Sequence, residues 1–228
     1  MTSESESMIM KVWIVLLFIG IACLVSAGNS KNDELNTAAN VNYLTAIEKE
    51  IVYEINRFRS NPSEYSEEYL VPLTKYYDKK VFHYPNDKPI VTKEGVGALK
   101  ECIRNLKDAS PLPIIYPSLG LTRAANDHVR DQGKSGKTGH RGSDYSSSKD
   151  RIERYGNWNI SIAENISYGG VTPRQILIFL LIDDGVRDRG HRKTLLNPDF
   201  KTVGVAFGKH PVYETMCVMD FAGAFTEK

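Results

Sequence analysis

Residues 176–191 read ILIFLLIDDGVRDRGH. Seven apolar residues run unbroken from Ile176 to Ile182, and two carboxylates, Asp183 and Asp184, follow at once. Arg187, Asp188, Arg189, Gly190 and His191 complete the stretch. By periodicity alone, so short an apolar run fits a buried strand as well as a buried helix. The residues upstream choose between them. Thr172 is placed as N-cap, Pro173 at the first helical position, and Gln175 completes a capping box. The run therefore reads as a helix buried nearly all round, ending before Gly185. Carboxylates at a helix C-terminus oppose the helix dipole. A solvated charge cluster is the plainer account of them. The local conflict also fits a polar site at the edge of a core.

Working outward, NISIAENISYG at 159–169 alternates like a strand. Ile160, Ile162, Glu164, Ile166 and Tyr168 share one face, because successive strand residues point to opposite sides. Glu164 thus projects among three isoleucines, where a carboxylate is costly unless it finds a partner or neutralises. A structural ion pair and a functional site account for it equally well. TVGVAFG at 202–208 and VYETMCVMDFA at 212–222 read as two further strands. Towards the N-terminus the period is helical. Leu44, Ile47, Ile51, Val52, Ile55 and Phe58 form one stripe starting near Tyr43, and Asn61-Pro62-Ser63 ends it and opens another helix through YSEEYL. Residues 72–94 read as a long irregular connection, 95–107 as a helix, and PLPIIYPSLG as a Pro-punctuated link. Leu121, Ala124, Ala125, His128 and Val129 make a complete helical stripe. The segment 133–148, with its four glycines, is a loop, and a short helix, SKDRIERYG, follows it. Helices come first and strands cluster late, which indicates an α+β fold rather than repeated βαβ units.

The chain has 228 residues, 41% apolar and 25% charged, enough for one domain with a real core. A net charge of +1 leaves no electrostatic footprint for nucleic acid. Lys11 precedes the uncharged run VWIVLLFIGIACLVSA at 12–27. It is shorter than the ~20 residues of a membrane span, and Val25 and Ala27 suit a small-residue cleavage site. Residues 1–27 are accordingly expected to be a signal peptide, 28–42 a flexible lead, and 43–225 the domain of a secreted protein. Cys102 and Cys217 then remain as a pair in an oxidising compartment. They are either joined in a disulfide that closes a long loop or left as buried free thiols.

Among candidate chemical groups, His128 on its apolar stripe reads as a core histidine. His140 lies in the Gly-rich loop, and His191 follows Gly190. Two histidines with two acids suffice for a divalent-metal site or acid–base work. No HExxH, CxxC pair, G-x-S-x-G elbow or phosphate-cradling loop is present.

GKTGH at 136–140, AENISYGG at 163–170, RGHRKTLLNP at 189–198 and TVGVAFG at 202–208, in this order, resemble the CAP (SCP-domain) superfamily of cysteine-rich secretory, antigen 5 and pathogenesis-related proteins. The chain is most similar to the short, cysteine-poor members of bacteria and protists. The resemblance implies a three-layer α-β-α sandwich with a central antiparallel sheet. It also implies a cleft lined by a tetrad, here His140, Glu164, Asp183 and His191, with Asp184 as the alternative to Asp183. Leu180 stands where the family has a tryptophan, and Asp183 where it usually has a Glu. The tetrad of such proteins can hold a divalent metal such as zinc, which places His140 and His191 as ligands. The function implied is non-enzymatic binding of a sterol or fatty acid, or of an extracellular protein. A hydrolase, with Ser143 as the serine to test, and a secreted protein-interaction module are the alternatives. Of the two sequons, Asn159-Ile-Ser161 is the candidate for glycosylation, while Asn165 falls inside the expected sheet.

Overall fold

The structure, a computed structural model, describes residues 33–228. The expected signal peptide and the first residues of the lead lie outside them. The chain divides into two units, Met1–Asn36 and Thr37–Lys228. Of the first, only residues 33–36 are described, and they form a single helical turn. The rest of this section concerns the second unit. Its first residues are less free than a flexible lead, since Ala38 is fully buried and Thr37 Oγ1 donates to the Ile115 carbonyl.

Helix α1, Ala46–Ser60, starts at Thr45 with a capping box closed by Glu48. Asn61 caps the next turn, α2 (Pro62–Tyr65), which runs on through a π turn and a 3-10 turn to Tyr76. The segment expected to be irregular holds a small antiparallel sheet, β1 (Tyr77–Asp78), β2 (Val81–Phe82) and β3 (Ile90–Val91). Strands of two residues carry no periodicity to read. Helix α3 (Val96–Lys107) and strand β4 (Tyr116–Pro117) precede the long helix α4, Leu119–Ser135. Then come α5 (Ser148–Glu153), β5 (Gly156–Tyr168), α6 (Pro173–Ile182), α7 (Gly190–Leu195), β6 (Thr202–His210) and β7 (Glu214–Glu227).

The main sheet has the order β4-β6-β7-β5. Its three long strands are antiparallel, and β4 adds a two-residue parallel pairing at one edge. Side chains alternate across it. Val203, Val205, Cys217, Met219 and Phe221 join the main core with residues of α1, α3, α6 and α7. Ala206, Val218 and Ile166 on the other face pack against Ala125 and Val129 of α4, and Ala222 against Leu121 and Ala124. These are the three layers of an α-β-α sandwich. Gly204 lets α4 lie close, because a Cβ there would meet the Leu121 carbonyl carbon at 2.0 Å.

Two local expectations are corrected, and the open question of the cysteines is decided. The β5–β7 register shifts between Asn159 and Ile162, a bulge that turns Ile160 outwards with φ +73° and 64% exposure. Glu164 therefore has two isoleucine neighbours on its face, not three. Thr172 does cap α6, accepting from Gln175 N, but the Gln175 side chain accepts from Val171 N, so the box is only half made. No disulfide forms. Cys102 and Cys217 are buried free thiols, and burial pushes the Cys102 thiol up to about 12 and Cys217 further. Among the described residues, no helix is long and apolar enough to cross a membrane.

Candidate functional site

β5 is an edge strand, and consecutive residues of an edge strand face the two helical layers. Glu164 faces the α4 layer and Asn165 the α6–α7 layer. Each holds a histidine from its own side. Glu164 Oε1 accepts from His140 Nδ1 at 2.8 Å, and Asn165 Nδ2 donates to the His191 carbonyl at 3.1 Å. The two imidazoles come together beside the strand, with ring centroids 6.5 Å apart and planes inclined by 32°.

His191 is set by the end of α6. Asp183 is the C-cap, in the left-handed conformation with φ +55°. This turns its carboxylate back under α7, where it is 3% exposed. Asp183 Oδ1 accepts from His191 Nδ1 at 2.6 Å, and Oδ2 from the His191 main-chain N–H at 2.9 Å. Asp184 points away and accepts from the main-chain N–H groups of Lys93 and Glu94. The acid beside His191 is therefore Asp183, although it is one methylene shorter than Glu. Arg189 ties the turn down by donating to the Asp183 and Val186 carbonyls.

His140 is held through its main chain as well. The Gly139 carbonyl accepts from His128 Nε2 at 2.8 Å and Gln132 Nε2 at 2.6 Å, and Gly139 N donates to Tyr168 Oη at 2.9 Å. His128 and Gln132 stand one turn apart on α4, so the helix fixes the loop that follows it. Arg151, 1% exposed on α5, donates to the His140 carbonyl and to Glu164 Oε2, the latter at 2.6 Å. The sequence reading missed Arg151. Its partner lies thirteen residues ahead on another element.

Burial drives the Glu164 carboxyl upwards, but the His140 hydrogen bond and the Arg151 charge outweigh it and hold it below the ordinary carboxylate range. Burial lowers His128 and keeps it neutral at physiological pH. Directly across the ladder from Glu164 sits Asp220, fully buried. Burial, together with the neighbouring Glu164 charge, pushes Asp220 well above its usual value.

Both histidines spend Nδ1 on a carboxylate. A carboxylate accepts, so each ring donates from Nδ1, and in the neutral imidazole Nε2 then carries the lone pair. Two such nitrogens are suitable donors for a divalent cation. Among the described residues no group of three or more His, Cys, Asp or Glu side chains is placed to hold a metal ion. A cation here would thus have two protein ligands and several water positions. Ser143 Oγ donates to Asp131 rather than to a histidine. Asn159 is exposed at the bulge, while Asn165 is 1% exposed and committed to His191.

A second feature lies beyond the other end of Tyr168. A cavity of about 450 Å³ opens between the small sheet, α6 and the β6–β7 turn. Its walls include Phe82, Ile90, Phe179, Ile182, Val212 and Tyr213. Val212 and Tyr213 are 67% and 47% exposed, so the apolar surface continues to the rim.

A three-layer sandwich carrying two histidine–carboxylate pairs beside an edge strand defines the class of protein. The model of the CAP family, the cysteine-rich secretory protein family, matches residues 52–221, and the chain belongs to that family. No curated protein matches at the sequence level. Among solved structures, the chain is similar to an extracellular protein containing an SCP domain from Bacillus anthracis, at 23% identity and a TM-score of 0.39 over 54% of this chain and 37% of that one. It is also similar to an outer surface protein from Borrelia burgdorferi, at 17% identity and a TM-score of 0.39 over 54% of this chain and 86% of that one. The match thus spans little more than a third of the Bacillus protein's length.

Proposed function

We propose that this CAP-domain chain is a secreted, non-enzymatic binding protein whose ligand is a lipid or other apolar small molecule. The observation that carries this reading is the aromatic and aliphatic cavity beside α6. Its 450 Å³ lies in the range of pockets that enclose small-molecule ligands, and such pockets are mostly apolar with a few placed polar groups. Native mass spectrometry of the secreted protein is expected to show an added apolar mass. Phe179→Arg should lose that mass, while His140→Ala/His191→Ala should keep it. Val212→Arg, at an exposed rim position, serves where the Phe179 variant fails to fold. A bare polypeptide mass, apart from glycan, would sink the reading and favour a protein-interaction module.

The paired imidazoles support a second, separate role as a divalent-cation site. His140 and His191 would hold the ion through Nε2, with Glu164 and Asp183 fixing the rings. A bound ion would supply a local positive charge and a Lewis acid. Zinc titration is expected to shift the ring signals of both histidines in NMR spectra. Glu164→Gln should weaken the binding about 10- to 100-fold, the usual cost of losing such a support, whereas Asp184→Asn should leave it unchanged. Equal loss in both variants would contradict the assignment of Asp183 and Glu164 as the supports. A hydrolase reading gains nothing from Ser143, whose hydroxyl has no histidine base in its hydrogen bond.

A further inference from the structure

The walls of the cavity carry charge as well as rings. Three carboxylates, Asp87, Asp184 and Glu214, face one ammonium, Lys88, a net charge of −2. The adjoining cavity, which shares Asp87 and Val171, adds Glu50 and Glu54 against Arg174 alone. Two of the acids are fixed in place. Asp184 accepts from Lys93 N and Glu94 N, at 2.6 and 2.9 Å, and Asp87 from Lys88 N and the Gln175 amide. The one ammonium is loosely held. Lys88 Nζ lies 2.7 Å from Glu214 Oε1, with side chains 82% and 73% exposed, and so open an ion pair is cheap to break.

We propose that the cavity takes a single-chain amphiphile whose head is a positively charged amine, with the chain against Phe82, Phe179 and Ile182 and the head between Glu214 and Asp87. This rests on the reading of the cavity as an apolar ligand site and adds the class of ligand. An incoming ammonium replaces Lys88 on Glu214, and Lys88 swings into water at little cost. An incoming carboxylate has to part Lys88 from Glu214 and then sit among three acids. Tyr168 and Tyr213, with ring centroids 5.4 Å apart, offer faces to a cation near the same rim. Charge complementarity thus selects against a fatty acid and in favour of an alkylamine or quaternary ammonium lipid.

The test uses the full secreted chain and three probes of one chain length, dodecyltrimethylammonium, dodecanol and dodecanoate, by calorimetry below their micelle concentrations. Dodecyltrimethylammonium is expected to bind at least tenfold more tightly than dodecanoate, with dodecanol between them. The preference should shrink with added salt, since charges at the rim are screened. Glu214→Gln, at an exposed position, should cut the preference to about threefold. Equal binding of the three probes, or tighter binding of dodecanoate, overturns the head-group assignment while leaving the cavity as an apolar site. Binding of none overturns both.

Discussion

Arg59→Met is expected to lower the unfolding free energy by about 3–5 kcal/mol, enough to move the thermal midpoint by roughly 10 °C. Arg59 is fully buried, and its guanidinium donates four hydrogen bonds to main-chain carbonyls. Pro113 accepts from Nε, Leu195 and Asn197 from Nη1, and Phe200 from Nη2, at 2.9–3.1 Å. One side chain of α1 thereby gathers the segment before β4, the end of α7 and the approach to β6. Leu195 closes α7, so its carbonyl is among those a helix end leaves unpaired. Burial lowers Arg59 only to about 10, so it remains a cation at neutral pH. Methionine fills much of the volume but leaves these acceptors without donors. Arg59→Lys should rescue little, because a single ammonium cannot reach carbonyls spread around a planar fork. Urea unfolding monitored by circular dichroism measures the loss. A change below 1 kcal/mol would mean that water reaches the acceptors and that Arg59 holds nothing together.

The difference between what could and could not be read from the residues is physical. The face of Glu164 followed from a period of two, and a capped helix that had to end before a glycine placed both Asp183 and Asp184 at its close; only the resemblance to the CAP family favoured Asp183. The face and the helix end rest on local rules. Arg59 sits at a polar position beside the apolar stripe of α1, and its partners lie 54–141 residues away. No local pattern could have marked it. The bulge at Ile160 is a property of the pairing with β7, not of β5 alone. Which of the two cysteine alternatives holds turns on where two apolar faces pack, which spacing does not say. Asp220 is different. Met216, Val218, Asp220 and Ala222 alternate on one face, the same signal that exposed Glu164, and it was there to be used.

Asp220 supplies the other large effect. Asp220→Asn is expected to stabilise the protein at pH 7 and above, with the gain fading towards pH 4. Its carboxyl oxygens are buried without a hydrogen-bond partner, and it faces Glu164 across the β5–β7 ladder. The raised folded value means that native Asp220 keeps a proton which the unfolded chain has released above about pH 4. Stability therefore falls as pH rises from that point to the folded value, by about 1.4 kcal/mol per unit. Asparagine removes the slope. The gap between variant and parent should widen steadily as pH rises from about 4 towards the folded value. Glu164 has the opposite sign. Its lowered folded value adds stability that is complete above the ordinary carboxyl range and is lost as pH falls through that value. Glu164→Gln should accordingly flatten the alkaline slope, because the buried Arg151 charge is then left for Asp220 to answer. Unfolding measured across that pH range in the parent and both variants decides the matter. A gap that does not change with pH would show that Asp220 is ionised in the fold beside Glu164.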